Sequence, residues 1–292
     1  MGLTSSGLGL DPLVIALVLL AATLHASWNA VLKAAPDRVT TSAVMNLTGL
    51  GIGTVLALLV ATPASGSWVF ILLSAMIHFG YFVFLLGSYR LGDLSQVYPL
   101  ARGIGPLLVA FLSPWLIGER LATMQLAGVV VLSLGILSLA FNRVRLRELV
   151  NWKPVIMALA TGGTIAAYTI VDGLGVRRSG SPAGYIAWLF VLDGISMAAL
   201  AAALRRRALG AAVRSVWKPA VLCGLISMLA YGIVIWCYNL GAIAPIAALR
   251  ETSVVIAAAI GSVLLREPFG RWRIVAASCC AIGIVAINLP LR

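Results

Sequence analysis

Apolar residues run along the chain in blocks of about twenty, separated by short breaks rich in polar residues, glycine or proline. About twenty helical residues, at 1.5 Å each, cross a hydrocarbon core of roughly 30 Å. The blocks predict helices over 12–32, 39–61, 67–89, 94–117, 121–141, 154–175, 183–204, 218–240, 243–265 and 272–290. None shows the strict alternation of a membrane barrel strand. Hydrocarbon leaves backbone N–H and C=O groups unsatisfied, so helix is the form open to such segments. The predicted fold class is all-α, a polytopic membrane protein with ten transmembrane helices. Breaks such as Pro63-Ala64-Ser65-Gly66 and Ser179-Gly180-Ser181-Pro182 carry ordinary turn residues. The first block has no basic segment before it and runs on through His25, Trp28 and Asn29, which marks a retained helix and not a cleaved signal.

Placing the charges orients the bundle. Most of the 21 Lys and Arg fall in the odd-numbered breaks, among them Arg143, Arg145, Arg147, Arg205, Arg206 and Arg207. The even-numbered breaks and the C-terminus hold only Arg120, Arg177, Arg178 and Arg292. Basic loops stay cytoplasmic. Both termini are therefore expected on the outer, periplasmic or extracellular, face of a bacterial inner membrane. The net charge of +12 follows from this topology, and no break is long enough to form a nucleic-acid surface. The expected partners are membrane lipids and a small-molecule substrate, with the chain a monomer or a homodimer.

Chemistry of other kinds finds little support. Cys223, Cys237, Cys279 and Cys280 fall inside apolar blocks and read as small buried hydrophobes, with neither disulfide spacing nor a metal pair. There is no phosphate loop. Two histidines and nine acidic residues scattered over ten helices do not assemble a catalytic constellation, so no enzyme, cofactor or metal is expected.

The two halves share landmarks. Tyr89-x-Leu91-Gly92, Leu100-x-Arg102 and Glu119 align with Tyr238-x-Leu240-Gly241, Leu249-Arg250 and Glu267. Five helices per half would invert the second copy. The expected organisation is two inverted five-helix repeats, 1–142 and 154–292, joined by a basic cytoplasmic linker at 143–153. Inverted repeats around a midplane site are a transporter design. Gly49-x-x-x-Gly53 permits close helix packing, within the fold or in a dimer.

The layout resembles the drug/metabolite transporter superfamily, and within it the EamA-type exporters. The resemblance is carried by Trp28-Asn29 with Lys33 at the helix end, by Tyr89-Arg90-Leu91-Gly92 leading to Gly118-Glu119-Arg120-Leu121, and by Leu240-Gly241 leading to Leu265-Arg266-Glu267-Pro268. It implies export of amino acids or related metabolites, and the aromatic amino-acid exporters are similar in length and layout. Efflux of lipophilic cations and the flipping of anionic lipids are the competing expectations.

Polar residues at membrane depth are the site candidates, because each ionisable group there costs several kcal/mol unless solvated or paired. Arg102 stands about 12 Å into helix 4 at 1.5 Å per residue, and Arg250 holds the related place in helix 9. A guanidinium fork binds a carboxylate bidentately. Glu251 follows Arg250, yet successive helical residues point about 100° apart, so it is expected to face Arg102 or the cavity and not its neighbour. Two readings remain open: a zwitterion site, with the arginines on carboxylate and Glu251 plus aromatic faces on ammonium, or a structural Arg–Glu lock between helices 4 and 9.

The aromatic wall candidates are Tyr81, Tyr98, Trp28, Tyr168, Tyr231 and Trp236, with Asn29 beside Trp28. His78 is a deep candidate for substrate binding or proton coupling and Asp193 for proton coupling, against a packing or paired role. Pro99, Pro106 and Pro245 predict kinks in helices 4 and 9.

Overall fold

The computed structural model describes residues 9–35, 37–91, 94–142, 152–205, 209–264 and 270–289. Among these residues the regular structure is entirely helical: α1 (Pro12–Ala34), α2 (Arg38–Leu59), α3 (Trp68–Leu91), α4 (Leu94–Leu116), α5 (Thr123–Ser138), α6 (Trp152–Arg178), α7 (Pro182–Arg205), α8 (Leu209–Leu240), α9 (Ile243–Arg250), α10 (Ser253–Leu264) and α11 (Arg271–Asn288). The linker core at 143–151, with Gly92 and 265–269 of the repeat landmarks, lies outside the described residues, as do the side chains of Lys33, Tyr89 and Arg90.

Nine described segments are long and apolar enough to cross a membrane. The tenth, α5, has 16 residues, and a 3-10 turn over Leu139–Asn142 continues it. Together they reach about 30 Å at 1.5 and 2.0 Å per residue. The chain is thus an all-α polytopic membrane protein.

Local chemistry starts and stops these helices. Asp11 caps α1 by accepting from Leu13 N at 2.7 Å, with Pro12 in the first turn where its missing donor is no loss. Asp37 caps α2 through Thr40 N and Thr40 Oγ1. Gly118, at φ 78°, supplies the left-handed residue after α4, and its N–H bonds Ser113 O at 2.9 Å.

The largest shift of an expected boundary is at helix 8. Helix 8 begins at Leu209 and not near 218, with Arg214 and Lys218 exposed on it. Charge ends a hydrophobic span but not a helix, so the basic turns continue α8 beyond the apolar stretch.

The tightest packing joins the two halves of the sequence: α5 with α11, α2 with α7, α3 with α6 and α1 with α8, while α4 packs on α6 and α9. Small residues allow the approach. A Cβ on Gly128 would come within 2.8 Å of Gly283 O, and one on Gly283 within 2.7 Å of Gly128 O. On Gly53, a Cβ would meet Ala187 O of α7 at 2.8 Å, so that glycine packs within the chain. Every residue of α9 is buried, which puts α9, with α4 and α6, at the centre. The described chain ends meet where Leu10 N donates to Asn288 Oδ1 at 3.3 Å.

The predicted irregularity in helix 9 is present but displaced. Pro245 lies in the first turn of α9, where its missing N–H has no intrahelical acceptor to serve. The break falls at Glu251–Thr252, where Glu251 N, Thr252 N and Val254 N bond back three residues, to Ala248, Leu249 and Glu251, before the ordinary ladder resumes at Ile256 N→Thr252 O. In contrast, α4 runs unbroken through Pro99, Pro106 and Pro114.

Candidate functional site

The break in helix 9 sets Glu251 between two arginines. Glu251 Oε2 lies 2.6 Å from Arg102 Nε. Its Oε1 accepts from Arg250 Nη2 at 3.0 Å and from Arg250 Nε at 3.2 Å. All three residues are buried, Glu251 completely. The expectation that Glu251 turns away from its neighbour is corrected here. The 100° step applies inside a regular helix, whereas Arg250 ends α9 and its long side chain folds back across the turn. Glu251 is consequently enclosed by guanidinium groups and does not face the aromatic residues as an ammonium acceptor.

Two guanidiniums share one carboxylate, so the cluster keeps one positive charge. Arg102 Nη2 also donates to Ser253 Oγ at 3.3 Å and meets His25 Nε2 at 3.1 Å. A guanidinium only donates, so His25 accepts at Nε2 and carries its proton on Nδ1. Arg250 Nη2 donates to Tyr168 OH at 3.4 Å. Among the described residues, these bonds use Nε and Nη2 of both arginines and neither Nη1 group.

A second cluster adjoins through Tyr168, whose ring lies 4.4 Å from that of His78. Around them stand Tyr231, 5.5 Å from His78, and Tyr81, 6.0 Å from Tyr168. His78 Nδ1 lies 2.8 Å from Asp193 Oδ2, while Asp193 Oδ1 is buried with no hydrogen-bond partner among the described residues. Asp172, completely buried on α6, accepts from Tyr185 OH at 2.9 Å and from Tyr231 OH at 2.5 Å. The network spans α1, α3, α4, α6, α7, α8 and the α9–α10 break.

Most of the expected residues converge here, and some do not. Tyr98 lies beside Arg102, whose guanidinium carbon sits 5.9 Å from its ring. Trp28 joins through the edge of His25 at 4.9 Å. Asn29 Nδ2 donates to His25 O of its own helix at 2.8 Å, a local bond in α1. Trp236 is 44% exposed and makes no ring contact with the cluster. Five residues after Tyr231 it points about 140° away on α8, toward the lipid face. Asp172, His25, Tyr185 and Ser253 are network members that sequence reasoning missed. Asp172 is held by hydroxyls from α7 and α8, and His25 by Arg102 of α4, partners that spacing along the sequence does not reveal.

A third group ties the even-numbered loops to one another. Arg177 Nη2 lies 2.6 Å from Glu119 Oε1 and donates to Gly241 O at 2.6 Å, while its Nε donates to Tyr238 O at 2.8 Å. Glu119 Oε2 accepts from Ile243 N at 2.9 Å, at the start of α9. Ala64 N donates to Ser179 O nearby in sequence terms to α6 and α7, at 2.8 Å. Four connections are thus tied across one face.

Residues 152–289 match the EamA-like transporter family, a family of small-molecule transporters. No curated protein sequence matches the chain significantly. A solved crystal structure aligns over 94% of this chain and 96% of its own, with a TM-score of 0.72 and 19% identity. That likeness concerns the fold alone.

Proposed function

From the match of residues 152–289 to the EamA-like transporter family, we propose that the protein is a secondary exporter of hydrophobic or aromatic amino acids in a bacterial inner membrane. The observation that carries this reading is the Arg102–Glu251–Arg250 cluster: buried, net positive, and walled by Tyr98 and Tyr168. The guanidinium nitrogens outside these bonds, Nη1 of Arg102 and of Arg250, suit a carboxylate, and the rings of Tyr168, Tyr231 and Tyr81 suit an apolar or aromatic side chain.

The reading includes alternating access between two inverted five-helix repeats. The pairing of α5 with α11, α2 with α7, and α3–α6 against α1–α8 supports it, because each pair maps onto itself or another under exchange of halves. The Glu119–Arg177 tie then serves as the outer gate, and the charge pattern puts both termini outside.

Efflux of lipophilic cations is the second reading, favoured by Asp172 and Asp193 beside tyrosine rings. A panel of labelled amino acids, quaternary ammonium dyes and labelled lipids in proteoliposomes separates the readings. The proposal expects movement of phenylalanine or a similar amino acid. Movement of dyes or lipids alone rejects it.

A further inference from the structure

The arginine cluster accounts for one end of a zwitterion only. Glu251, the acid nearest to it, has no exposed surface and is engaged through both oxygens. The other end must meet a different carboxylate.

Asp193 has the required features. Its Oδ2 is held by His78 Nδ1 at 2.8 Å. Its Oδ1 is buried and unpartnered among the described residues. Such an acceptor is costly to leave empty, since a buried polar atom without a partner forfeits its hydration. Around the pair lie the rings of Tyr168 and Tyr231, which attract an ammonium through their faces. Tyr168 stands between the two poles, with its hydroxyl on Arg250 and its ring on His78. We infer that the His78–Asp193 pair is the ammonium subsite for the substrate, and that it holds either a proton or the ammonium but not both. This rests on the amino-acid reading above.

The exclusion follows from charge. Asp193 offers one negative charge. When His78 is an imidazolium, that charge is met from the Oδ2 side, and an ammonium at Oδ1 would leave this pair net positive beside the arginine cluster, which already keeps one positive charge of its own. When the ammonium binds, the imidazolium releases its Nε2 proton to water and keeps Nδ1–H on Asp193. The Nε2–H bond breaks as an O–H bond forms on the water that takes the proton, and no other covalent bond changes. The other ionisable groups facing the pair are Asp172 and Tyr168 from α6, Tyr185 from α7, Tyr231 from α8 and Arg250 from α9, while Tyr81 of α3 meets Tyr168. The helix α2 also packs on α7, with its charged residues Asp37 and Arg38 at its start. Asp172 is engaged by two tyrosine hydroxyls, which leaves Asp193 as the acid with a free oxygen.

The test uses the purified full chain in weakly buffered detergent solution, with phenylalanine as the probe and a pH dye as the readout. The wild type should release about one proton per phenylalanine bound, with affinity falling by up to about tenfold per unit of falling pH, the limit for one linked proton. Asp193→Asn should lose the ammonium preference, binding phenylalanine and its deaminated analogue 3-phenylpropionate alike, without proton release. His78→Gln should keep that preference but release no proton, and it carries the test if Asp193→Asn does not fold. Phenylalanine binding to the wild type without proton release overturns this inference and leaves the amino-acid reading standing. An absence of amino-acid binding at every pH overturns both.

Discussion

Arg102 and Glu251 stand in opposite halves of the sequence, and their side chains meet with Nε and Oε2 2.6 Å apart, both buried. Charges removed from water in this way are tolerated only when paired. Their contact fixes α4 against the break in helix 9 and, through Arg250, leaves a positive charge at the centre. Removing Arg102 alone should strand the carboxylate between fewer partners. Arg102→Ala is expected to destabilise the protein by about 3–5 kcal/mol, the range for breaking a buried ion pair. Arg102→Ala/Glu251→Ala should lose less than the single variants together, as a thermal-unfolding double-mutant cycle in detergent would measure.

Tyr185→Phe and Tyr231→Phe remove hydroxyls that donate to the completely buried Asp172. Each should cost about 1–3 kcal/mol, because an unsatisfied buried acceptor loses its desolvation compensation. The melting temperature of each variant against wild type checks this, and an unchanged value would show that Asp172 finds another donor.

At the gate, Glu119 and Arg177 are partly exposed, so solvent screens their pair and it adds little to stability. Its effect should lie in access. In a cysteine-free background, Ile243→Cys should react slowly with a membrane-impermeant thiol reagent, since Ile243 is buried and its N–H is held by Glu119. Adding Arg177→Ala should raise the labelling rate while the melting temperature moves little. Equal rates would mean that the tie does not close this face.

Tyr168 and Trp236 make a matched comparison. Tyr168 touches both charged clusters, whereas Trp236 faces outward. Tyr168→Ala should reduce transport and change substrate preference, and Trp236→Ala should leave both near wild type in the same proteoliposome assay.

Hydropathy made most of the fold legible, because a helix must bridge the hydrocarbon wherever about twenty apolar residues run together. Arg102, Arg250 and Glu251 stood out for the same reason, as charges in an apolar setting. What periodicity could not supply was the geometry at irregular points. The break at Glu251–Thr252 turned Glu251 back onto Arg250, an outcome that the regular helical step forbids. Asp172 gained its meaning only from Tyr185 and Tyr231, 13 and 59 positions away in sequence, and His25 only from Arg102, 77 positions away. Trp236 stands with Tyr231 among the aromatic wall candidates, although the helical angle already separates them.

The central claim is that Arg102 and Arg250 receive a substrate carboxylate. Binding of phenylalanine and of its methyl ester to the purified protein tests it directly, because the ester keeps the ring and the ammonium but loses the anion. The wild type should favour phenylalanine by about tenfold or more, given that a hydrogen bond to a charged group contributes roughly 1.5–3 kcal/mol, and Arg250→Ala should erase that preference. Equal binding of acid and ester by the wild type would contradict the account.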